Sequence, residues 1–315
     1  MFAKMENKLN IVDKSNIFFV IGIVFALIGL VSLILLPFHV NLFNLDIDFA
    51  GGTTMSYNMH KQLDKAELDN IGKLVSEATG VNPSSIQKAG DGTEVLIKTT
   101  TLKSEQRDAA FKALKEAYNL HDGTETVAEG ADKPASDIIA VDNVDPVMGK
   151  DIRNAAVLAA FLAILLMLVY IAIRFDVRSG VAAVTALAHD ILVVMGAYVI
   201  FRIPLNMTFI AVVLTILGYS INATIVIFDR IRENRKIIKK TSFGDIVNKS
   251  IWQTATRSLN TTITTLLAII VLAIVGVTSI KQFAIPLIVG ITAGLYSSMF
   301  ISGPIWAKLA KSSKK

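Results

Sequence analysis

The stretch that decides the fold is Leu217–Asn234, LGYSINATIVIFDRIREN. It forms the second half of an apolar segment that is long enough to cross a bilayer, yet it carries Tyr219, Ser220 and Asn222 before running into the charged terminus that begins at Asp229. Polar groups at membrane depth are costly unless they are paired, so they face a helix interface or a path open to water. The stretch therefore predicts a spanning helix with a polar face.

The composition of the whole chain agrees with a membrane protein. Hydrophobic residues make up 53% of the 315 residues, charged residues 18%, and the mean hydropathy is +0.56. A soluble domain of this size normally carries more charge, so the composition predicts a polytopic membrane protein. The chain has no cysteine, which excludes disulfides, cysteine-ligated metals and a thiol nucleophile. The four histidines are scattered, so we expect no metal and no cofactor.

Six apolar segments are predicted to span the membrane. The first, residues 17–37, follows a cytoplasmic N-terminus of residues 1–16 and has no A-x-A-like site after it, which favours an uncleaved signal-anchor. The other five lie within residues 153–308, before a short tail at 309–315. Their predicted limits are Ala155–Ile173, Val181–Phe201, Met207–Phe228, about Arg257 to Val277, and Phe283–Trp306.

Residues 38–152 have mixed charge and no long apolar run, which is typical of a soluble domain. Its predicted elements alternate in the order β-α-β-β-α-β, which indicates a small ferredoxin-like α+β fold. They are the strands Thr53–Asn58, Ser84–Lys88, Val95–Thr99 and Ile138–Val141, and the helices Asp64–Thr79 and Ser104–Tyr118. A loop is predicted at Gly123–Pro134.

The distribution of Lys and Arg predicts the orientation. With the N-terminus inside, the inner side receives the N-terminal lysines, Arg174, Arg178, the basic loop 229–256 and the C-terminal tail, whereas the outer hinges hold only Arg202 and Lys281. Both termini are therefore predicted to be cytoplasmic and the α+β domain extracytoplasmic. This asymmetry also explains the net charge of +5 without a nucleic-acid partner.

Within the basic loop, Ser242 precedes an apolar stripe that predicts a capped amphipathic helix on the inner surface. The stripe is Phe243, Ile246, Val247, Ile251 and Trp252. Two interpretations remain open: a solvated linker helix, or a docking surface for cytoplasmic or membrane partners.

Two ionisable residues in the spans are candidates for function. Asp190 stands near the middle of the third span, and a carboxylate at that depth is costly without a partner or a path to water. Arg257 opens the fifth span, close to Asn260 and Thr261. The alternatives are a helix-packing ion pair for Asp190 and an interfacial anchor for Arg257. The chain has no Walker-type loop, and we do not expect it to be an enzyme.

Five elements, in order on the six spans, resemble SecF, the membrane subunit of the bacterial protein-export accessory complex. They are the IDFAGGT run Ile47–Thr53 with Asp48, Gly51 and Gly52; Asp145–Lys150; Ala188–Asp190; the GYSIN…FDRIREN run with Asp229, Arg230 and Glu233; and Thr256–Thr262. The glycine pair also has a simpler interpretation as a tight turn from membrane to strand.

The resemblance implies a function that composition could not give. SecF-like subunits pair with SecD, associate with the SecYEG channel, contact SecA and YidC, and use the proton or sodium motive force to help move unfolded preproteins outward. The implied fold is like that of RND-type exporters in the bacterial cytoplasmic membrane, surrounded by lipids. Asp190 and Arg257 are then the expected ion-coupling residues, and Tyr219, Ser220, Asn222, Asn260 and Thr261 the polar residues within the membrane.

One position departs from the family. SecF has an aspartate after the asparagine of GYSxN, which pairs with the arginine of the fifth span, and this chain has Ala223. Alanine cannot bind a proton and leaves Arg257 without its family partner, so either Asp190 or a carboxylate of SecD replaces it, SecD supplies all the proton chemistry, or the alanine disables the subunit. Two alternative functions stay open: a non-coupled scaffold of the channel complex, and an RND-like exporter of lipids or small molecules.

Overall fold

The computed structural model describes residues 9–35, 42–89, 92–122, 136–174, 176–238, 241–276 and 278–312. The loop predicted at 123–134, residues 1–8 of the N-terminal segment and tail residues 313–315 lie outside these ranges. The chain forms two compact units, one of residues 1–44 with 157–315 and one of residues 45–156.

The helices and strands are numbered in chain order. The helices are α1 (Ser15–Leu35), α2 (Ile47–Ala50), α3 (Lys65–Thr79), α4 (Ser104–Tyr118), α5 (Pro146–Arg174), α6 (Val177–Ile200), α7 (Met207–Ile237), α8 (Phe243–Val275), α9 (Thr278–Ser297) and α10 (Gly303–Ser312). A π-helical turn, Ser298–Ser302, joins α9 to α10. The strands are β1 (Asn44–Leu45), β2 (Gly52–Asn58), β3 (Ser85–Ala89), β4 (Glu94–Thr99), β5 (Ile138–Val144) and β6 (Pro204–Leu205).

The six predicted spans are confirmed. Among the described residues, six helical segments are long and apolar enough to cross a membrane: α1, residues 149–171 of α5, α6, α7, α8, and the continuous run from Ile280 to Ala310. The large apolar side chains of α1 and α5 are mostly exposed, as expected for helices that face lipid, whereas α6 and the last run are half-buried or more.

The basic stretch predicted as a loop at 229–256 is mostly helical. Helix α7 continues to Ile237, and α8 begins at Phe243 with Ser242 as its N-cap. Arginine, lysine and glutamate are good helix formers, so a charged sequence beyond the membrane does not end a helix.

The apolar stripe at the start of α8 is covered by the chain itself. Ile246, Val247 and Ile251 are buried, and Ile11 of the N-terminal segment belongs to the same core. The backbone N–H of Ile11 donates to Asn248 Oδ1 (2.9 Å), and Trp252 Nε1 donates to the carbonyl of Leu9 (3.2 Å). The stripe packs inside the protein, so both interpretations of it were wrong: it is neither a docking surface nor one face of a solvated linker helix.

Glycines set the helix spacing inside the bundle. A Cβ on Gly29 of α1 would lie 1.9 Å from the carbonyl oxygen of Leu192 on α6, so the two backbones touch. A Cβ on Gly290 of α9 would lie 2.1 Å from Ile216 Cδ1 on α7. Small residues at such crossings are how helices without a hydrophobic driving force pack closely in lipid.

Residues 45–156 contain the predicted ferredoxin-like sheet. Its strands run in the order β3-β4-β2-β5, all described pairs being antiparallel, with α3 and α4 contributing to one core. Helix α3 begins with a capping box between Asp64 and Glu67 and ends at Gly80 in the left-handed conformation. The core includes Met55, Tyr57, Ile71, Ile97 and Leu114.

Asp137 ties three segments of this domain together before β5 begins. Its carboxylate, only 5% exposed, lies 2.5 Å from His60 Nε2 and 3.3 Å from His121 Nδ1, and it accepts a hydrogen bond from the backbone N–H of His121 (2.7 Å). Burial alone would raise the pKa of Asp137, but the His121 N–H and the two imidazoles more than offset it and lower that pKa below its ordinary value.

This arrangement predicts an acid limit to the stability of the domain. A carboxyl whose pKa is lower in the folded state stabilises the fold above its unfolded pKa, about 3.9, and that contribution disappears as the pH falls through the folded pKa. We expect Asp137→Asn to cost about 1.5–3 kcal/mol near neutral pH, because it removes hydrogen bonds to a charged group. Pulse proteolysis of the full chain measures the first effect with a protease active at neutral pH and the second with an acid-active protease. An unchanged pH dependence in Asp137→Asn contradicts the assignment.

Candidate functional site in the membrane bundle

Asp190 is the centre of a buried polar cluster. It lies on α6 with no exposed surface, and two fully buried serines point at one of its oxygens: Ser220 Oγ of α7 donates to Oδ2 (2.5 Å), as does Ser297 Oγ of α9 (2.8 Å). His189 Nδ1 lies 3.0 Å from the other oxygen, Oδ1. The carboxylate is thus held by groups from three spans.

The cluster continues along α7 and the last span as buried hydroxyls. Ser298 Oγ lies 3.0 Å from Thr224 Oγ1 and donates to the carbonyl of Gly294 (2.6 Å), and Ser302 Oγ donates to the carbonyl of Ser298 (2.8 Å). The π-helical turn begins at Ser298, next to Ser297, so the wide turn allows two consecutive serines to reach α6 and α7. Such turns occur often at functional sites.

Small residues in the sequence allow the helices around this cluster to pack closely. Residues of α6 that precede Asp190 on the same face are the buried alanines Ala182, Ala183 and Ala186. On the last span, a Cβ on Gly294 would lie 3.1 Å from Ser220 Cβ, so the glycine admits Ser220 beside Asp190. One helical turn beyond Asp190 on α6, apolar packing bounds the cluster: Val194 and Ile216 pack against Gly290.

His189 faces a different environment from Asp190. It is 9% exposed, and its Nε2 has no hydrogen-bond partner among the described residues. A Cβ on Gly22 of α1 would lie 3.2 Å from this nitrogen. The imidazole also lines an apolar cavity of about 330 Å³ together with Phe25, Val193 and Ala293. His189 therefore separates the carboxylate from α1.

Arg257 is not part of this cluster. Its side chain is exposed, makes no ion pair with a described residue, and lines a polar groove of about 490 Å³ with Val226, Asp229 and Glu233. The structure thus does not bring Arg257 together with Asp190, and the idea that Asp190 replaces its family partner is wrong for this conformation. The groove lies between the C-terminal part of α7 and the N-terminal part of α8.

Ala223 lies on the face of α7 that is turned to α8. Tyr219, one turn earlier, donates from its hydroxyl to Thr262 Oγ1 (3.2 Å), and Arg230, two turns later, donates to Gln253 Oε1 (2.6 Å). Positions 219, 223, 226 and 230 follow helical spacing, so an aspartate at 223 would face α8 and the groove that contains Arg257. The alanine explains why that arginine has no partner within α7.

The other polar residues predicted within the membrane point outward. Asn222 is exposed on α7, and Asn260 and Thr261 are exposed on α8, where Thr261 Oγ1 donates to the carbonyl of Arg257 (2.9 Å). Arg257, Asn260 and Thr261 follow helical spacing, so they form an exposed polar stripe on α8, which is costly against lipid.

The remaining motif residues have structural positions. Gly51 and Gly52 have φ angles of 74° and 145° at the turn from α2, which contains Asp48, into β2. Asp229 Oδ1 lies 3.6 Å from Arg174 Nη2, and Arg230 Nη1 lies 2.6 Å from Glu233 Oε2. The glycine angles fit the simpler interpretation of that pair as a tight turn, and the ion pairs are contacts near the ends of α5 and α7.

Sequence reasoning missed several members of the cluster. Ser297, Ser298 and Thr224 had no signal beyond being hydroxyl residues in an apolar span, and His189 was noted within the third-span motif but not as a contact of the Asp190 carboxylate. The two serines share a helical turn with Gly294, the second glycine of a GxxxG pair, and that proximity could have indicated a close polar contact. Among the described residues, no group of His, Asp and Glu is arranged to hold a metal ion.

The structure is that of a polytopic membrane protein: a six-span bundle with a carboxylate buried among hydroxyls and an α+β domain between its first and second spans. Residues 124–312 match the family described as protein export membrane protein SecD/SecF, C-terminal. The chain therefore belongs to the SecF family of protein translocase subunits, and it is a transport protein rather than an enzyme.

Individual relatives agree with this family. The SecF subunit of Alicyclobacillus acidocaldarius is 34% identical over 99% of this chain and 96% of its own length. The SecDF subunit of Bacillus subtilis is 33% identical over 95% of this chain, and the crystal structure of SecDF from Thermus thermophilus superposes with a TM-score of 0.78 at 29% identity over 98% of this chain. This chain spans only 38–39% of those two longer chains.

Proposed function

We propose that this subunit works with SecD at the SecYEG channel and uses the proton or sodium motive force to help move preproteins outward, with Asp190 as its ion-coupling carboxylate. The observation that carries the proposal is the fully buried Asp190 held by Ser220 and Ser297 from two other spans. A carboxylate bound by neutral hydroxyls can gain or lose a proton, and each state favours a different arrangement of the same donors. Protonation would therefore change the contacts between α6, α7 and α9.

A partner subunit fits the exposed polar residues of α7 and α8. Asn222, Arg257 and Asn260 would be unfavourable against lipid, and a membrane partner with a carboxylate would satisfy the arginine. The longer SecDF chains carry additional sequence beyond the part that this chain matches. For this chain we assign the role of the membrane partner that satisfies Arg257 to a separate SecD. The same proposal places both termini in the cytoplasm and the α+β domain outside, from the Lys and Arg distribution.

The Ala223→Asp variant tests where coupling resides. Each version is co-expressed with SecD in cells that lack their own subunits, and the release rate of a secreted preprotein is measured with and without the motive force. Because Asp190 is intact, we expect the Ala223 chain to respond to the force, and Ala223→Asp to respond by a similar amount. If only the aspartate version responds, coupling belongs to positions 223 and 257 and the proposal fails. If neither responds, the chain is a scaffold.

A further inference from the structure

A groove of about 810 Å³ lies at one edge of the sheet in the α+β domain, between α3 and the start of β3. Its floor is formed by Gly72 and Ile86, and Pro83 and Ser84 close one end. Strand β3 pairs with β4 and with no other described strand, so its second edge is open. We name this feature the α3–β3 groove.

A glycine keeps the groove open. Gly72 lies inside α3, where glycine costs about 1 kcal/mol relative to alanine. A Cβ at this position would lie 2.7 Å from Ile86 Cδ1, so the Ile86 side chain would have to shift. Alanine at position 72 would therefore favour the helix but crowd the floor of the groove.

The wall of the groove carries balanced charge. Lys65, Asp69, Lys73 and Glu77 are exposed at four-residue spacing, so they form one row along α3 in which positive and negative charges alternate. A wall without net charge does not select a polyanion or an anionic surface. Open strand edges instead bind backbone, whatever the side chains are.

We propose that the α3–β3 groove binds a segment of extended polypeptide, which adds a strand beside β3 and lays alternate side chains against Gly72, Ile86 and the charged row. The row from residue 65 to residue 77 is about 18 Å long at 1.5 Å per helical residue, which matches about five residues of a strand. Strand β3 continues past the groove through Gln87 and Lys88, so its open edge is also five residues long. The inference deepens the proposed function, because an unfolded preprotein is a polypeptide of this kind.

The test measures the anisotropy of a short fluorescent peptide in which valine and threonine alternate, added to the purified full chain in nanodiscs. We expect saturable binding, and at least about tenfold weaker binding for Gly72→Leu, which fills the floor. The matched control is Ala66→Leu, which adds the same side chain on α3 outside the groove and should bind as the unmodified chain does. Gly72→Ala favours the helix and adds one carbon against Ile86, so it should weaken binding less than Gly72→Leu does.

A second probe separates backbone pairing from simple apolar contact. The same peptide with alternate backbone nitrogens methylated keeps its side chains but cannot pair along a strand edge, and it should bind at least about tenfold more weakly. Equal binding of the methylated peptide, or unchanged binding to Gly72→Leu, overturns the proposal. The assay contains no SecD and no membrane potential, so a failure here is distinct from a failure of ion coupling in the release assay.

Discussion

Replacing Asp190 by asparagine is expected to abolish the force-dependent part of preprotein release while leaving the subunit folded. Asparagine has nearly the same shape and keeps an oxygen that can accept from Ser220 or Ser297, but it cannot gain or lose a proton. The residue has no exposed surface, so the change touches no partner directly. The rate of release is compared with and without the motive force, in cells that express SecD and either version.

The companion variant is Ser297→Ala, which keeps the carboxylate and removes one donor. It leaves the buried Asp190 with Ser220 and His189, so we expect a weakened response to the force and a loss of about 1–3 kcal/mol of stability. If Asp190→Asn retains full force dependence, then SecD or another residue carries the coupling. If Asp190→Asn fails to accumulate in the membrane, Asp190 has the packing role that the sequence left open.

Replacing Gly29 by alanine is expected to destabilise the membrane bundle strongly. The new Cβ would lie 1.9 Å from the carbonyl oxygen of Leu192, and because that oxygen belongs to the backbone, α1 and α6 must move apart. Overpacking typically costs about 1–3 kcal/mol, and a backbone clash belongs at the upper end of that range. At about 2–4 °C per kcal/mol, the apparent Tm should fall by roughly 4–12 °C.

Gly218→Ala is the matched control for this prediction. Gly218 lies inside α7, and a Cβ there meets no atom within 4 Å, so the substitution should leave the chain as stable or raise its stability by up to about 1 kcal/mol through helix propensity. Unfolding in detergent is followed by the fluorescence of Trp252 and Trp306, which are both buried in this unit. Equal Tm values for the two variants would contradict the close α1–α6 contact.

Patterns of hydrophobicity were sufficient to predict the six spans and the β-α-β-β-α-β order, because both depend on short-range periodicity. The positions of helix ends were harder to predict from the sequence. The helix capped by Ser242 was predicted, but the extension of α7 to Ile237 and the continuity of that capped helix with the fifth span were not. Both are supported by packing against Ile11 and Trp306, residues far away in the sequence. A local pattern of charged residues cannot distinguish a loop from a helix that is supported by such distant contacts.

For the candidate site, the sequence indicated the depth of Asp190 but not its partners. A serine in an apolar span donates either to its own helix or to a neighbour, and only the tertiary structure decides between them. Ser220 and Ser297 reach Asp190, whereas Thr261 donates to the backbone one turn before it. Arg257 illustrates the same limit: its exposure and its distance from the cluster depend on helix rotation, which residue spacing alone does not give.

The most direct measurement is infrared difference spectroscopy of the subunit with SecD in lipid vesicles, recorded between acidic and alkaline buffer. If Asp190 is the coupling carboxylate, the spectrum will show a buried carboxylic acid that loses its proton on alkalinisation, and this band will be missing from Asp190→Asn but present in Ala223→Asp. If the spectra of the unmodified chain and Asp190→Asn are identical, Asp190 does not exchange a proton, and the account of this subunit as an ion-coupled one built around that residue is contradicted.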